Sequence, residues 1–259
     1  MVEPSLIGML MAVGLMVIAI ALSSWQGLGL SKMLAIATVR TIVQLLGVGI
    51  FLAFVFATRQ PVAILAVLIG MVSIAATVAR SRIDQQLPRL LLWVWLATFV
   101  SALITVTYVC LLVIRLDPWY DPRYLIPLSA IVLSSVMTAV SITGERLVTA
   151  LRNNRLDIET HLSLGATPKQ AVQTYRQAAI KAGLIPTING MMVVGLVTLP
   201  GTMTGQILAG TDPLTAAIYQ ILIMFMLTLA TLIAVLVVTH GIVQQFFTDA
   251  MQLIEHPTS

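Results

Sequence analysis

Charge is scarce in this chain. Only 9% of its 259 residues are Asp, Glu, Lys or Arg, 59% are hydrophobic, and the mean hydropathy is +1.01. So few charges, combined with recurring apolar runs of about twenty residues, exclude a soluble globule and point to a polytopic, all-α membrane protein. Cysteine is nearly absent as well. Cys110 is the single one and lies in an apolar run, which excludes an intrachain disulfide framework and a cysteine-based metal site. No G-x-x-x-x-G-K-[ST] phosphate loop occurs, so the chain cannot bind ATP through that motif, and no cofactor is expected on it. Neither H-E-x-x-H nor G-x-S-x-G occurs, which leaves an intramembrane enzyme without support. The opening MVEPSLIGML has no basic region before its first apolar run and no small-residue cleavage site after it, so a retained helix is expected there.

Acidic groups are missing from the apolar runs. Glu3, Asp84, Asp117, Asp121, Asp157, Glu159, Asp212, Asp249 and Glu255 fall in loops or tails, and Glu145 lies near a helix end. A proton- or sodium-coupled carrier more often places carboxylates inside its spans, so ion coupling has little to work with here.

What is present are about seven hydrophobic segments, roughly 5–24, 34–57, 61–79, 91–114, 124–146, 184–208 and 214–240, the sixth being the least regular. Lys and Arg concentrate in cytoplasmic loops. Placing the N-terminus outside puts every basic residue except Arg59, Arg115 and Arg123 on or near the inner side, with the C-terminus cytoplasmic. The pI of 9.6 therefore reflects topology and does not argue for nucleic-acid binding. The whole chain, 1–259, reads as a single transmembrane domain.

Residues 147–182, between the fifth and sixth segments, are polar and sharply punctuated, and in this topology they face the cytosol. Leu147, Leu151, Ile158 and Leu162 recur at helical spacing, so the fifth span is expected to continue as an amphipathic helix beyond the lipid. Gly165 suits a helix end because glycine tolerates positive φ. Thr167, Pro168 and Gln170 then match an N-cap, a first-turn proline and a capping box. The second helix carries Val172, Tyr175 and Ala179 on its apolar side, with Lys169, Gln173, Arg176 and Lys181 facing elsewhere, and Pro186 bends the approach to the sixth span. Two readings fit: a solvated connector, or a rigid docking elbow that passes a partner's motion into the spans.

Two further places could bear on a translocation path or gate. Arg40 and Gln44 lie one helical turn apart, where the guanidinium either snorkels to headgroups or bonds a neighbouring helix or a substrate. In LPGTMTGQILAGTDP, residues 199–213, Pro200 and Gly201 interrupt a helix, and broken backbone at membrane depth usually lines a cavity. Gln206 falls in the same stretch, and Gly205 and Gly210 permit close helix approach. Met191, Met192 and Met203 offer thioethers that serve either as packing or as soft metal contacts. His240, near the end of the last segment, and the turn DPWYDPRY at 117–124 offer few other ligands, so no metal site is defined.

The run from Ile158 to Pro186, with Glu159, LSLGATPKQA and AAIKAGLIP, resembles the coupling loop of bacterial ABC-transporter permeases, with Thr160 and His161 in place of the usual small alanines. More specifically, ATVRTIVQLLGVG at 37–49, the whole of 159–186, GLVTLPGTMTGQILAGTDP at 195–213 and YQILIMFM at 219–226 are similar to the iron-export ABC permease (FetB) family and its plant aluminium-tolerance relatives. That resemblance implies a permease in a bacterial inner membrane, assembled as two copies with two cytosolic ATP-binding subunits that hold ATP and Mg. It makes Glu159, Leu164, Gly165, Ala166, Thr167 and Pro168 the ATPase-coupling residues. It also implies export of iron or another metal ion. An organic solute such as a sugar nucleotide, or a non-transporting regulatory or scaffold role, stays open.

Overall fold

A computed structural model describes residues 6–58, 60–84, 87, 89–248 and 252–254. Expectations that fall on Glu3, Arg59, Asp249 and Glu255 lie outside the described residues. Those residues are almost wholly helical and form no strand, only isolated bridges such as Val194 with Thr198. Bilayer physics explains this, because hydrocarbon offers no partner for backbone N–H and C=O groups and a helix satisfies them within one segment.

The chain divides into two compact units, Met1–Gln60 and Pro61–Ser259. The first unit is a helical hairpin of α1 (Leu6–Trp25) and α2 (Ser31–Thr58). The second contains α3 (Pro61–Ile83), α4 (Leu90–Tyr108, prolonged by a π-helical turn Val109–Val113) and α5 (Pro122–Asn153). It continues with α6 (Arg155–Ser163), α7 (Pro168–Ala171), α8 (Gln173–Val193), α9 (Gly201–Leu208) and α10 (Pro213–Phe246). Proline starts α3, α5, α7 and α10, where its missing N–H costs nothing. Asp121 and Asp212 cap α5 and α10 by accepting backbone N–H bonds of 3.0 and 3.1 Å.

Among the described residues, five helices are long and apolar enough to cross a membrane, namely Ser31–Ala57, Pro61–Ile83, Leu90–Val113, Pro122–Asn153 and Pro213–Phe246, with a shorter apolar helix at Met11–Trp25. The protein is therefore a multi-pass helical membrane protein. The segment expected at 184–208 is not one helix. Chain at 194–200 separates α8 from α9, with Gly195 at φ 80° and Pro200 extended at ψ 145° as the α9 N-cap. α8 also begins early, at Gln173, so half of it is polar. At 21 residues it is shorter than α5 and α10, against both of which it packs.

The core of the second unit is α5, about 48 Å long at about 1.5 Å per residue, which packs against α3, α4, α8 and α10. Hydroxyl residues buried in these helices mostly bond their own backbone. Thr98 donates to Val94 O and Thr105 to Ser101 O at 2.7 Å each, and Thr231 donates to Leu227 O at 2.8 Å. Small residues let helices approach closely in lipid, where no hydrophobic driving force assembles them. At the α5–α8 crossing, a Cβ on Gly183 would collide with Thr143 Oγ1 and come within 2.8 Å of the Ala139 carbonyl.

Gly183→Val should therefore cost about 1–3 kcal/mol of stability through overpacking and lower the thermal midpoint of the purified protein in detergent. Gly190→Ala, where an added carbon meets nothing within 4 Å, should leave that midpoint unchanged or slightly raised. Equal midpoints for Gly183→Val and the unaltered chain would contradict this packing.

Candidate functional site

The polar connector folds as a braced elbow. The amphipathic continuation expected of the fifth span is present, but Asn154, at φ −111° and ψ 31°, breaks it into α5 and α6, and its side-chain amide donates to Ala150 O at 2.9 Å. Leu147, Leu151 and Ile158 are fully buried. Just before the break, Arg152 Nη2 pairs with Asp84 Oδ2 at 2.6 Å, which fastens the end of α5 to the end of α3. On α6, Arg155 Nε pairs with Glu159 Oε1 at 2.7 Å, one turn apart.

α6 ends as its sequence predicts. Gly165 has φ 91°, its N–H donates to Leu162 O at 3.0 Å, and the Ala166 N–H donates to His161 O at 3.0 Å. These two bonds form a Schellman cap that only a residue comfortable at positive φ closes without strain. Thr167 and Gln170 then make the capping box, in which Gln170 Oε1 accepts from Thr167 N at 2.9 Å while Thr167 Oγ1 accepts from Gln170 N at 3.4 Å. Ala171 and Val172 are buried, like Ile158 of α6. Across the bend, Tyr175 O–H donates to Asp157 Oδ2 at 2.6 Å, joining α6 to α8.

The second leg is fastened too. Arg176, which the sequence places away from the apolar side, reaches α10, with Nε donating to Thr239 Oγ1 at 3.0 Å and Nη2 to Leu236 O at 3.5 Å. Leu164 at the apex is 81% exposed, and Leu156 at the start of α6 is 79% exposed. A groove of about 600 Å³ separates Glu159, Leu162, Ser163, Gly165 and Ala166 from Gln252 and Leu253 of the C-terminal segment. Exposed leucines on an otherwise polar, rigid projection suit an apolar socket on another protein.

The membrane-level candidates fall in both units. Arg40 and Gln44 are exposed one turn apart on α2, in the first unit. In the second unit, Met191 Sδ accepts a 2.9 Å bond from Thr228 Oγ1 of α10, whereas Met192 is 71% exposed and turns away. Met203 and Gln206 are half-buried on α9. Pro200 O accepts from Thr204 N at 2.9 Å, and the half-buried Thr202 hydroxyl bonds the buried Gln220 of α10. A Cβ added at Gly201, Gly205 or Gly210 would meet nothing within 4 Å, and Gly210 closes α9 with φ 94°, so no tight helix contact forms at Gly205 or Gly210 among the described residues.

Sequence reasoning missed a cleft of about 250 Å³ between α5, α8 and α10, lined by Ser134, Ser135, Thr138, Thr187, Gly190 and Met224 among others. Its donors are hydroxyls and one thioether. Among the described residues no group of three or more His, Cys, Asp or Glu could hold a metal ion. The signal was present as Ser and Thr spaced three to four apart on α5, but isolated hydroxyls in apolar helices are routine, and only the fold brings Thr187 opposite them. Asp121, once a possible ligand, is engaged as a helix cap.

Two outcomes follow for the elbow. Gly165→Val should strain the left-handed position by about 1–2 kcal/mol and expose the elbow to limited proteolysis, whereas Gly165→Asn should resist cleavage like the unaltered chain. The hydrogen bond to Asp157, aided by burial and by the Asp157 charge, raises the Tyr175 pKa above the ordinary tyrosine value. A raised folded value means the tie is fully present below about pH 10 and is lost as pH rises through the raised value. Proteolysis should therefore show a closed elbow at neutral pH that opens in strongly alkaline solution. Tyr175→Phe should remove that pH dependence.

Comparison with known proteins agrees with this architecture. Residues 6–247 match the model of Uncharacterised protein family (UPF0014). The chain is 50% identical over 241 residues to the UPF0014 membrane protein slr1647 of Synechocystis sp., covering 93% of each. It is 31% identical over 244 residues to the Probable iron export permease protein FetB of Escherichia coli, covering 94% of this chain and 93% of that one. Against Protein ALUMINUM SENSITIVE 3 of Arabidopsis thaliana it is 31% identical over 245 residues, covering 95% and 88%. No solved structure matches. With matches that run almost from end to end, the chain belongs to the UPF0014 membrane-protein family.

Proposed function

We propose that this protein is the permease of an ATP-driven exporter and that its elbow is the point where a cytosolic ATP-binding subunit grips it. The observation that carries this reading is the elbow's construction. A projection whose two legs are fastened to the bundle through Arg152–Asp84 and Arg176–Thr239, and whose bend is locked by caps at Gly165 and Thr167, transmits displacement where a loose connector would absorb it. Glu159, Leu164, Ala166 and Pro168 would meet the partner at the apex, which would bring its own ATP and Mg. In this reading two copies assemble with two ATPases in a bacterial inner membrane, with the N-terminus outside and the elbow and C-terminus cytosolic. The cluster of Arg80, Arg82, Arg89, Arg152 and Arg176 toward the elbow end supports that orientation.

α8 links the lever to the cargo path, because it begins in the elbow and ends beside the hydroxyl-lined cleft. Displacing it would open or close that cleft against α5, and Pro200, Gly201, Met203 and Gln206 would form a gate beyond it. The relative named as a probable iron export permease favours a metal ion as cargo. The lining supports a second reading, because hydroxyls without carboxylates suit a chelated metal or a hydroxyl-rich organic solute such as a sugar nucleotide better than a bare ion.

The test uses the chain with its ATPase in inside-out vesicles. ATP-dependent uptake of iron, with other metals and sugar nucleotides as competitors, should be measurable, and Leu164→Asp should cut ATPase stimulation by about tenfold or more while membrane insertion persists. Undiminished stimulation by Leu164→Asp would overturn the docking assignment.

A further inference from the structure

An apolar cavity of the second unit lies away from the elbow, on other residues of α5 than those that line the cleft. It has a volume of about 360 Å³ and sits between α3, α4 and α5, with Leu68, Phe99, Ala102, Cys110, Trp119 and Leu133 among its walls. The helical lining residues come almost entirely from the half of each helix remote from the elbow. These are residues 65–72 of α3, 99–111 of α4 and its π turn, and 125–133 of α5. Trp119, half exposed in the connecting turn, stands at the mouth, where amphipathic rings favour the membrane interface.

A second observation concerns the wall itself. α4 widens into the π turn Val109–Val113, and the Leu116 N–H reaches back to Cys110 O at 3.0 Å. Arg115 closes this end at φ 57°, a left-handed position where an arginine is strained. Single-turn π insertions are frequent at functional sites, and this one forms part of the cavity wall.

We propose that this cavity is a binding site for one acyl chain of a membrane phospholipid. Water is a poor occupant, since apolar cavities stay dry, and an empty one forfeits the dispersion contacts of its walls. An engineered apolar cavity of about 150 Å³ takes up benzene, so this one has room for a substantial length of hydrocarbon. A neighbouring helix fits badly. At about 10 Å across, it would fill the volume with roughly one turn, whereas a single chain is slender enough to follow the slot. The bilayer presents such chains at this depth. Around the mouth, Arg115 and Arg123 are offset by Asp117 and Asp121, so the site grips the tail and does not select headgroup charge.

Cys110, the single cysteine, lines the cavity and reports on it directly. The full chain is reconstituted in vesicles of phosphatidylglycerol or phosphatidylcholine, extracted in mild detergent and weighed intact by mass spectrometry. Retention of about one phospholipid per chain from either composition, reduced about tenfold in Ala102→Phe, is the expected result. In parallel, delipidated unaltered protein is treated with an uncharged pyrene maleimide. Labelling of Cys110 should slow about tenfold when either phospholipid is added back. Equal retention by Ala102→Phe and the unaltered chain would overturn the site. So would labelling insensitive to lipid, protection that tracks protein concentration instead of lipid, or rapid labelling in vesicles by a charged thiol reagent, which would mean a water-filled or protein-filled cavity.

Discussion

Lipid offers no hydrogen-bond partner, so the polar groups at the ends of a membrane bundle are where a cytosolic partner can take hold of it. Here two such fastenings lie at one end of the second unit. Arg152 and Asp84 hold α5 to α3, and Arg176 holds α8 to α10. Between them the chain leaves the bundle and returns as a capped elbow, so whatever displaces the elbow displaces α5 and α8 together. The first pairs Arg152 with the nearly buried Asp84, and the second is a hydrogen bond to the neutral Thr239 hydroxyl, so charge is not what they share. Their value is positional, because they fix where two helices start and stop.

The same two helices form two walls of the hydroxyl-lined cleft, with α10 as the third. Elbow and cleft are thus successive stations along α8, and the tight α5–α8 crossing at Gly183 is the cleft's own edge on the elbow side. The apolar cavity between α3, α4 and α5 is remote from the elbow and shares none of the residues that line the cleft, although Leu133 of the one is followed directly by Ser134 of the other. A lipid tail there would brace the outer halves of the helices while the elbow end moves.

Much of the elbow was legible because its signals are local. Gly165, Thr167, Pro168 and Gln170 act within one turn of themselves, and the structure shows the turn types their chemistry demands. The Asn154 break escaped notice because an asparagine inside a helical pattern has no fixed meaning until its side chain finds a carbonyl. Long-range ties escaped for a related reason: the partners of Arg152, Tyr175 and Arg176 stand 68, 18 and 63 residues away. The sixth segment misled more seriously. Its hydropathy runs on across 194–200, but Gly195 and Pro200 end the helix there, and α8 draws its length from the polar side instead. Met191 and Met192 are adjacent in sequence yet face apart, which no composition argument separates.

The central claim is that the elbow is a rigid lever acting on the cleft, and distances between spin labels during nucleotide binding test it most directly. In the complex with its ATPase, a label pair on Leu156 and Gln177 should keep its separation with and without ATP, while a pair on Ser134 and Thr187 should shift by several ångströms. A spreading elbow pair, or a cleft pair that stays fixed while ATP is turned over, would contradict the account.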